Sequence, residues 1–130
     1  MSAYTSTIVI EARPDDVFDF VSEPENQPRW AVNFVRSTRP LGGGRHAMET
    51  PFGEMVYRVD ADALRGVIDW AFETPDGGSV LPARVVPHAG GSLFTFTITR
   101  APGSSDEDWE RGMRGIDEEL LVLKRLLEEG

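Results

Sequence analysis

The chain has no cysteine among its 130 residues, so disulfide bonds and thiolate catalysis are excluded. It also has no run approaching the roughly 20 apolar residues of a membrane-spanning helix. Its opening, MSAYTSTIVIEARPDD, lacks the basic segment and apolar stretch of a signal peptide. We therefore expect a cytoplasmic protein with no membrane span. The length fits a single domain over residues 1–130, large enough for a core without covalent links.

Basic residues are scarce. The chain has 13 Lys and Arg against 22 Asp and Glu, which gives a formal net charge of −9. Residues 105–130 alone hold nine acids and four bases, which we interpret mainly as a solvated helix face. Such a surface repels a phosphate backbone, so we expect no nucleic-acid partner.

Several motifs of enzymes and metal proteins are also missing. The three glycines at 42–44 are not followed by the Lys-Ser/Thr pair of a phosphate-binding loop. There is no G-x-S-x-G and no H-E-x-x-H, and neither His46 nor His88 has a Glu at helical spacing. We predict no bound metal and no cofactor.

The strongest periodic signal lies in the last 25 residues, DEDWERGMRGIDEELLVLKRLLEEG. Apolar residues recur there at intervals of four and three, as on one face of an α-helix: Trp109, Met113, Ile116, Leu120, Leu123 and Leu127. Ser104 or Ser105 could cap this helix, which would run about 36 Å at about 1.5 Å per residue. Gly112 and Gly115 add little side-chain volume beside its Trp109 end. We therefore expect a hollow under that end.

Before this helix, apolar residues alternate with polar ones, as in strands. A first strand at residues 6–12 precedes two short helices that begin near Pro14 and Pro24. A turn at residues 52–53 would then pair Met48 with Tyr57, and a turn at 61–62 would pair Met55 with Ile68. Every such register places the large apolar side chains on one face, which predicts an antiparallel sheet covered on one side.

This order of elements resembles a known family. A strand, two short helices, six antiparallel strands and a long terminal helix are similar to the α+β helix-grip fold, in which a curved antiparallel sheet of about seven strands grips the C-terminal helix over its concave face. The fold belongs to the START and polyketide cyclase/dehydrase-like superfamily (SRPBCC), which includes the major birch pollen allergen. The most specific stretch is IEARPDDVFDFVSEPENQPRW at residues 10–30, and VVPHAGGSLFTFTITR resembles the last hairpin.

The resemblance implies an apolar ligand cavity between helix and sheet, but no particular reaction. We expect its wall among the inward aromatic and thioether side chains, which form adaptable pockets. These are Trp30, Met48, Met55, Tyr57, Trp70, Phe72, Phe94, Phe96, Trp109 and Met113. Each is also a normal core residue, and only the cluster suggests a pocket.

Few polar groups are candidates for chemistry. His46 shares the inward parity of Met48 and could act as an acid or base, and Tyr57 could orient a ligand by a hydrogen bond. Arg84 falls on the outward face in our register, and a slip of one residue would bring it inward, where it could hold a carboxylate. Asp117 lies one step off the apolar stripe of the helix, where a surface role is expected.

Three functions are consistent with these sequence features. The first is a protein, monomeric or homodimeric, that binds a small hydrophobic molecule in the cavity. The second is an aromatase/cyclase or dehydratase that uses His46 and Tyr57 for proton transfer. The third is a structural or stress-related module whose cavity is filled by its own side chains. The residues favour the first, because the inward set holds no convincing pair of proton-transfer groups.

Overall fold

A computed structural model describes residues 2–75 and 77–130. In chain order its elements are β1 (Ala3–Ile10), α1 (Pro14–Ser22), a 3₁₀ turn (Pro24–Asn26), α2 (Gln27–Trp30), β2 (Ser37–Gly42), β3 (Arg45–Thr50), β4 (Gly53–Asp62), β5 (Val67–Phe72), β6 (Ser79–His88), β7 (Gly91–Thr99) and α3 (Asp106–Glu129).

The seven strands form one antiparallel sheet in the order β1-β7-β6-β5-β4-β3-β2. The sheet is curved, and the short helices and the long C-terminal helix α3 complete the fold. This architecture confirms the predicted helix-grip fold. Strands β2 to β7 pair in chain order as successive hairpins, and β1 forms the opposite edge of the sheet by pairing with β7. Because β1 precedes the two short helices, these helices connect the two edges of the sheet.

Alternation of side chains places the core on one face of the sheet, as predicted. In β5, Ile68, Trp70 and Phe72 are buried, whereas the residues between them are partly exposed. In β7, Phe94 and Phe96 face the same core. In the last hairpin Ala83 pairs with Phe96, as the turn at HAGG predicts.

The predicted registers of the two middle hairpins are wrong. The first turn lies at residues 51–52, so that Met48 pairs with Met55 and His46 with Tyr57. The Thr50 hydroxyl fixes this turn, because it accepts a hydrogen bond from the Phe52 N–H at 3.1 Å and donates to the Gly53 carbonyl at 2.8 Å. The register is therefore displaced by two residues from the prediction.

The second turn lies at residues 63–66, so that Tyr57 pairs with Phe72. This strand register is displaced by six residues from the prediction. Leu64 is 91% exposed there and belongs to no strand. Gly66 has φ +66°, and a Cβ atom on it would lie 2.0 Å from the Val85 carbonyl oxygen. Both displacements are even numbers, so every side chain keeps its predicted face.

The two short helices cover part of the concave face. Pro14 begins α1, and the helix buries Val17, Phe18 and Val21. The second predicted helix is split into the 3₁₀ turn and the four residues of α2, which ends at the buried Trp30.

The long helix α3 begins with the predicted cap. The Ser105 hydroxyl accepts a hydrogen bond from the backbone N–H of Asp108 at 3.1 Å. Polar contacts then fasten the helix to β1: Asp117 accepts from the Tyr4 hydroxyl at 2.8 Å, and Lys124 donates to the Val9 carbonyl at 2.7 Å. Between them, Ile116, Leu120 and Leu123 are buried in the core.

Candidate functional site

The centre of the interior is occupied by the Trp30 side chain. Its ring centroid lies 6.3 Å from that of Trp70, and 6.2 Å from those of both Phe94 and Phe96. The rings of Trp70 and Phe96 are 5.2 Å apart. Trp30 is only 1% exposed. Side chains that sequence reasoning assigned to a cavity wall therefore contact one another directly in this region.

Two hydrogen-bond donors in this aromatic cluster have no acceptor. The indole nitrogens of Trp30 and Trp70 are buried, and neither has a partner in the part of the chain that the structure describes. Buried tryptophans normally find an acceptor for this N–H, because burying an unpartnered donor is unfavourable. The centre of the core therefore presents two unpartnered donors in apolar surroundings.

Tyr57 and His46 lie toward the β2 side of the same core. The Tyr57 hydroxyl donates to the Gln27 side-chain oxygen at 2.7 Å, and both residues are buried. Burial, with a smaller contribution from the negative charge of Glu23, raises the pKa of Tyr57 above its ordinary value. The His46 ring lies 5.7 Å from the Tyr57 ring. Its Nδ1 is buried with no partner among residues 2–75 and 77–130.

The ten predicted wall residues divide into two groups. Eight belong to the core or pack against it: Trp30, Met48, Met55, Tyr57, Trp70, Phe72, Phe94 and Phe96. Trp109 and Met113 are half-buried on α3 and lie outside this cluster in the described part of the chain. The Trp109 end of α3 is thus less tightly packed than its leucine end.

Other apolar side chains are found at the end of the sheet where α3 begins. The strand directions place the β3–β4 turn at that end, with Phe52 86% exposed. The Phe34 ring, from the segment between α2 and β2, lies 6.3 Å from the Phe52 ring. We call Phe34, Phe52, Trp109 and Met113 the apolar rim.

Sequence reasoning missed a buried contact between α3 and the segment after α2. Glu119, counted among the solvated acids of the helix, is 4% exposed and accepts a hydrogen bond from the Asn33 N–H at 2.9 Å. Burial raises the pKa of Glu119 to about 7, although the N–H groups of Asn33 and Phe34 act in the opposite direction. The signal was its spacing, because Glu119 follows Ile116 by three residues on the apolar face.

The same contact includes one of the two helix glycines. The Asn33 side chain donates to the Gly115 carbonyl at 3.0 Å and to Glu118 at 3.2 Å. A Cβ atom on Gly115 would lie 3.5 Å from the Asn33 side chain. This is an ordinary van der Waals distance, so an added Cβ would fit, and the Asn33 side chain packs beside Gly115 where the sequence predicted a hollow. A Cβ atom on Gly112 would meet nothing within 4 Å.

The remaining candidates lie outside the interior. Arg84 points outward, as predicted, and pairs with Asp69 at 2.9 Å. Asp117 is exposed and bound to β1 through Tyr4, and His88 is exposed at the end of β6.

Among the surface depressions of the described residues, one is lined by Ser2 and residues 100–104, and another by residues 11–13 and 89–91. Neither includes a predicted wall residue. Across residues 2–75 and 77–130, no set of three or more His, Asp or Glu side chains is grouped as a metal site. Within the same residues, no helix has the length and apolarity needed to cross a membrane.

The arrangement defines a class: a helix-grip domain with an aromatic interior. The chain belongs to the family described as "Polyketide cyclase / dehydrase and lipid transport", whose sequence profile it matches over residues 1–128. The predicted membership of the START and polyketide cyclase/dehydrase-like superfamily is thereby confirmed.

Solved structures agree with this fold. The Aha1 dimer from Colwellia psychrerythraea has a TM-score of 0.77 at 16% identity, covering 98% of this chain and 97% of that one. A START superfamily protein from Mycobacterium smegmatis has a TM-score of 0.76 at 13% identity, covering 98% and 97%. For Ara h 8.0201 the values are 0.70 and 12%, with 99% of each chain covered. No curated protein matches the sequence significantly.

Proposed function

We propose that this protein binds a small, largely apolar molecule between α3 and the concave face of the sheet. One observation carries the proposal. Trp30 and Trp70 place two buried N–H donors without acceptors inside an otherwise aromatic cluster. A ligand with an acceptor atom would satisfy a donor there, while its apolar surface would gain about 25 cal/mol per Å² buried. The family description, which names lipid transport, supports the same function.

The apolar rim is the proposed way in. Trp109 and Met113 are half-buried on the first turns of α3, whereas Leu120 and Leu123 further along are almost completely buried. The helix therefore packs most loosely against the molecule near its start. The apolar side chains at this end of the molecule would favour partition of a hydrophobic molecule from water.

Proton-transfer catalysis by His46 and Tyr57 is less well supported. The Tyr57 hydroxyl already donates to Gln27, and its raised pKa keeps it protonated at neutral pH. A general acid works best when its pKa lies near the operating pH. Tyr57 is therefore suited to donate a hydrogen bond, and not to exchange a proton with a substrate.

The third function is a module with a permanently filled interior. The experiment must distinguish this alternative from ligand binding. Native mass spectrometry of the purified protein, before and after addition of a panel of neutral bicyclic aromatics and medium-chain lipids, tests binding directly. We expect one-to-one complexes with at least one class. If no member of the panel binds at concentrations near its solubility limit, the filled-interior function replaces the proposal.

Matched variants locate the site. Met113→Trp should weaken binding by narrowing the opening, whereas Met113→Ala should leave it unchanged or strengthen it. Leu121→Ala is the control, because Leu121 is 54% exposed on the same helix. Equal effects of Met113→Trp and Leu121→Ala would argue against entry at the rim.

The proposed partner is thus a small molecule, and the net charge of −9 argues against nucleic acid. We propose that the protein acts in the cytoplasm as a monomer or homodimer. Light scattering after gel filtration would distinguish these two states.

A further inference from the structure

The identity of the side chain at the centre of the core suggests how a ligand is accommodated. Trp30 belongs neither to the sheet nor to α3, and yet its indole lies among Trp70, Phe94 and Phe96. It is the last residue of a helix of only four residues. A bicyclic side chain on this short connecting element occupies the place that a ligand would take in the proposed function.

Polar contacts hold the segment that carries Trp30 on both sides of this residue. Before it, the Gln27 side-chain oxygen accepts a hydrogen bond from the Tyr57 hydroxyl at 2.7 Å. Directly after it, Ala31 leaves the helical conformation with φ −83° and ψ 53°. Asn33, three residues after Trp30, holds the segment to α3 through Glu119 and Gly115. A rotation of the Trp30 side chain could withdraw the indole while Gln27 and Asn33 stay in place.

Hydrogen bonding favours such an exchange. With Trp30 in the core, its own N–H and that of Trp70 both lack an acceptor among the described residues. If Trp30 moves outward, its N–H meets water. If the entering molecule carries an acceptor, the N–H of Trp70 is satisfied as well. Exchange therefore relieves two unpartnered donors.

The charges of the interior restrict the ligand further. Among the buried side chains of the described residues, Glu119 alone carries a charge, and this charge is negative. A carboxylate or phosphate placed beside the aromatic cluster would meet no buried cation, and an unpaired buried charge is strongly unfavourable. The ligand should therefore be neutral.

We propose, building on the function above, that the ligand is a neutral molecule with about two fused rings and a hydrogen-bond acceptor, that it displaces the Trp30 indole, and that it accepts a hydrogen bond from Trp70. The size of the ligand follows from the Trp30 indole that it replaces. Its hydrogen-bond acceptor follows from the Trp70 N–H that it satisfies. Ketones, quinones and lactones of bicyclic aromatics belong to this class.

Two probes that differ only at the acceptor test this. 2-Acetylnaphthalene carries a carbonyl, and 2-ethylnaphthalene has the same carbon frame without it. Their dissociation constants would be measured by fluorescence titration on the wild type, Trp70→Phe, Trp30→Leu and the control Leu121→Ala, at an exposed position of α3. Melting curves would establish that each variant is folded.

We expect Trp70→Phe to weaken binding of 2-acetylnaphthalene roughly tenfold, the worth of one hydrogen bond. Binding of 2-ethylnaphthalene to Trp70→Phe, and binding of both probes to Leu121→Ala, should change less than about twofold. Trp30→Leu should strengthen binding of both probes by at least about tenfold, because no indole must then be displaced.

If Trp70→Phe weakens both probes equally, Trp70 contributes packing only and the assigned acceptor is overturned. If Trp30→Leu binds no better than the wild type, displacement is overturned. In both cases the probes still bind, and the proposed function stands. If neither probe binds the wild type or any folded variant, the assigned ligand class is overturned, and the lipids of the mass-spectrometry panel then decide whether the proposed function stands.

Discussion

Replacing Glu119 with glutamine tests whether the carboxyl group between α3 and the segment after α2 titrates as its burial implies. Its side-chain oxygen accepts the N–H of Asn33, and the residue is 4% exposed. Glutamine has the same shape and keeps an accepting oxygen, but it does not ionise. The substitution therefore removes the titration and leaves most of the contact in place.

The magnitude follows from the pKa values. Glu119 titrates at about 7 in the folded protein, against 4.5 for an unperturbed glutamate. Since the folded value is the higher one, the stability contributed by the neutral carboxyl is complete below pH 4.5 and is lost as the pH rises toward and through 7. At about 1.4 kcal/mol per pKa unit, the wild type should lose roughly 2 kcal/mol between about pH 5 and about pH 8 from this group.

Urea unfolding of wild type and Glu119→Gln at these two pH values measures the effect. The glutamine NH₂ adds a constant offset, so the diagnostic quantity is the difference between the proteins, which should shift by roughly 2 kcal/mol in favour of the variant as the pH rises. Glu110→Gln, at an exposed position of α3, is the control for the change in net charge. A difference that is the same at both pH values would refute the reasoning.

Three stability predictions concern the backbone and can be measured by the same unfolding assay. Gly112→Ala should stabilise α3 by about 0.5–1 kcal/mol, because an added Cβ meets nothing within 4 Å; destabilisation would contradict the helix geometry. Gly66→Ala should destabilise by at least about 2 kcal/mol, because its Cβ would overlap the Val85 carbonyl, whereas Gly43→Ala, with similar φ in open space, should cost about 1 kcal/mol. Equal losses would show that no clash exists. Ser105→Ala should cost about 1 kcal/mol through loss of the helix cap, and an unchanged midpoint would mean that the cap is not formed in solution.

The faces of the strands and the turn of the last hairpin were predictable from sequence, but the turns of the two middle hairpins were not. Alternation fixes which side chains point inward, and it survives any register error of an even number of residues. The turn at residues 51–52 depends on the Thr50 hydroxyl, and the turn at 63–66 on the close approach of Gly66 to Val85. The first is a side-chain hydrogen bond and the second a contact distant in sequence, so neither appears in a periodic pattern.

The candidate site was predictable as a set of residues but not as an arrangement. The sequence indicated that Trp30, Trp70 and Phe94 face inward, yet only three-dimensional packing brings their rings together at the centre. Gly115 was misinterpreted because its neighbour, Asn33, lies more than 80 positions earlier in the chain. The spacing of Glu119 from Ile116 indicated that Glu119 lies on the buried face of α3, but its negative charge favoured a position exposed to solvent.

The central claim is that an apolar molecule enters the aromatic interior, and the indole N–H signals of the three tryptophans test it most directly. Uniformly ¹⁵N-labelled protein would be titrated with 2-acetylnaphthalene, with signals assigned through single Trp→Phe variants. We predict that the signals of Trp30 and Trp70 shift together and saturate at one equivalent, with the Trp30 N–H gaining exchange with water. Indole signals that stay unchanged while the probe is present near its solubility limit would contradict the account.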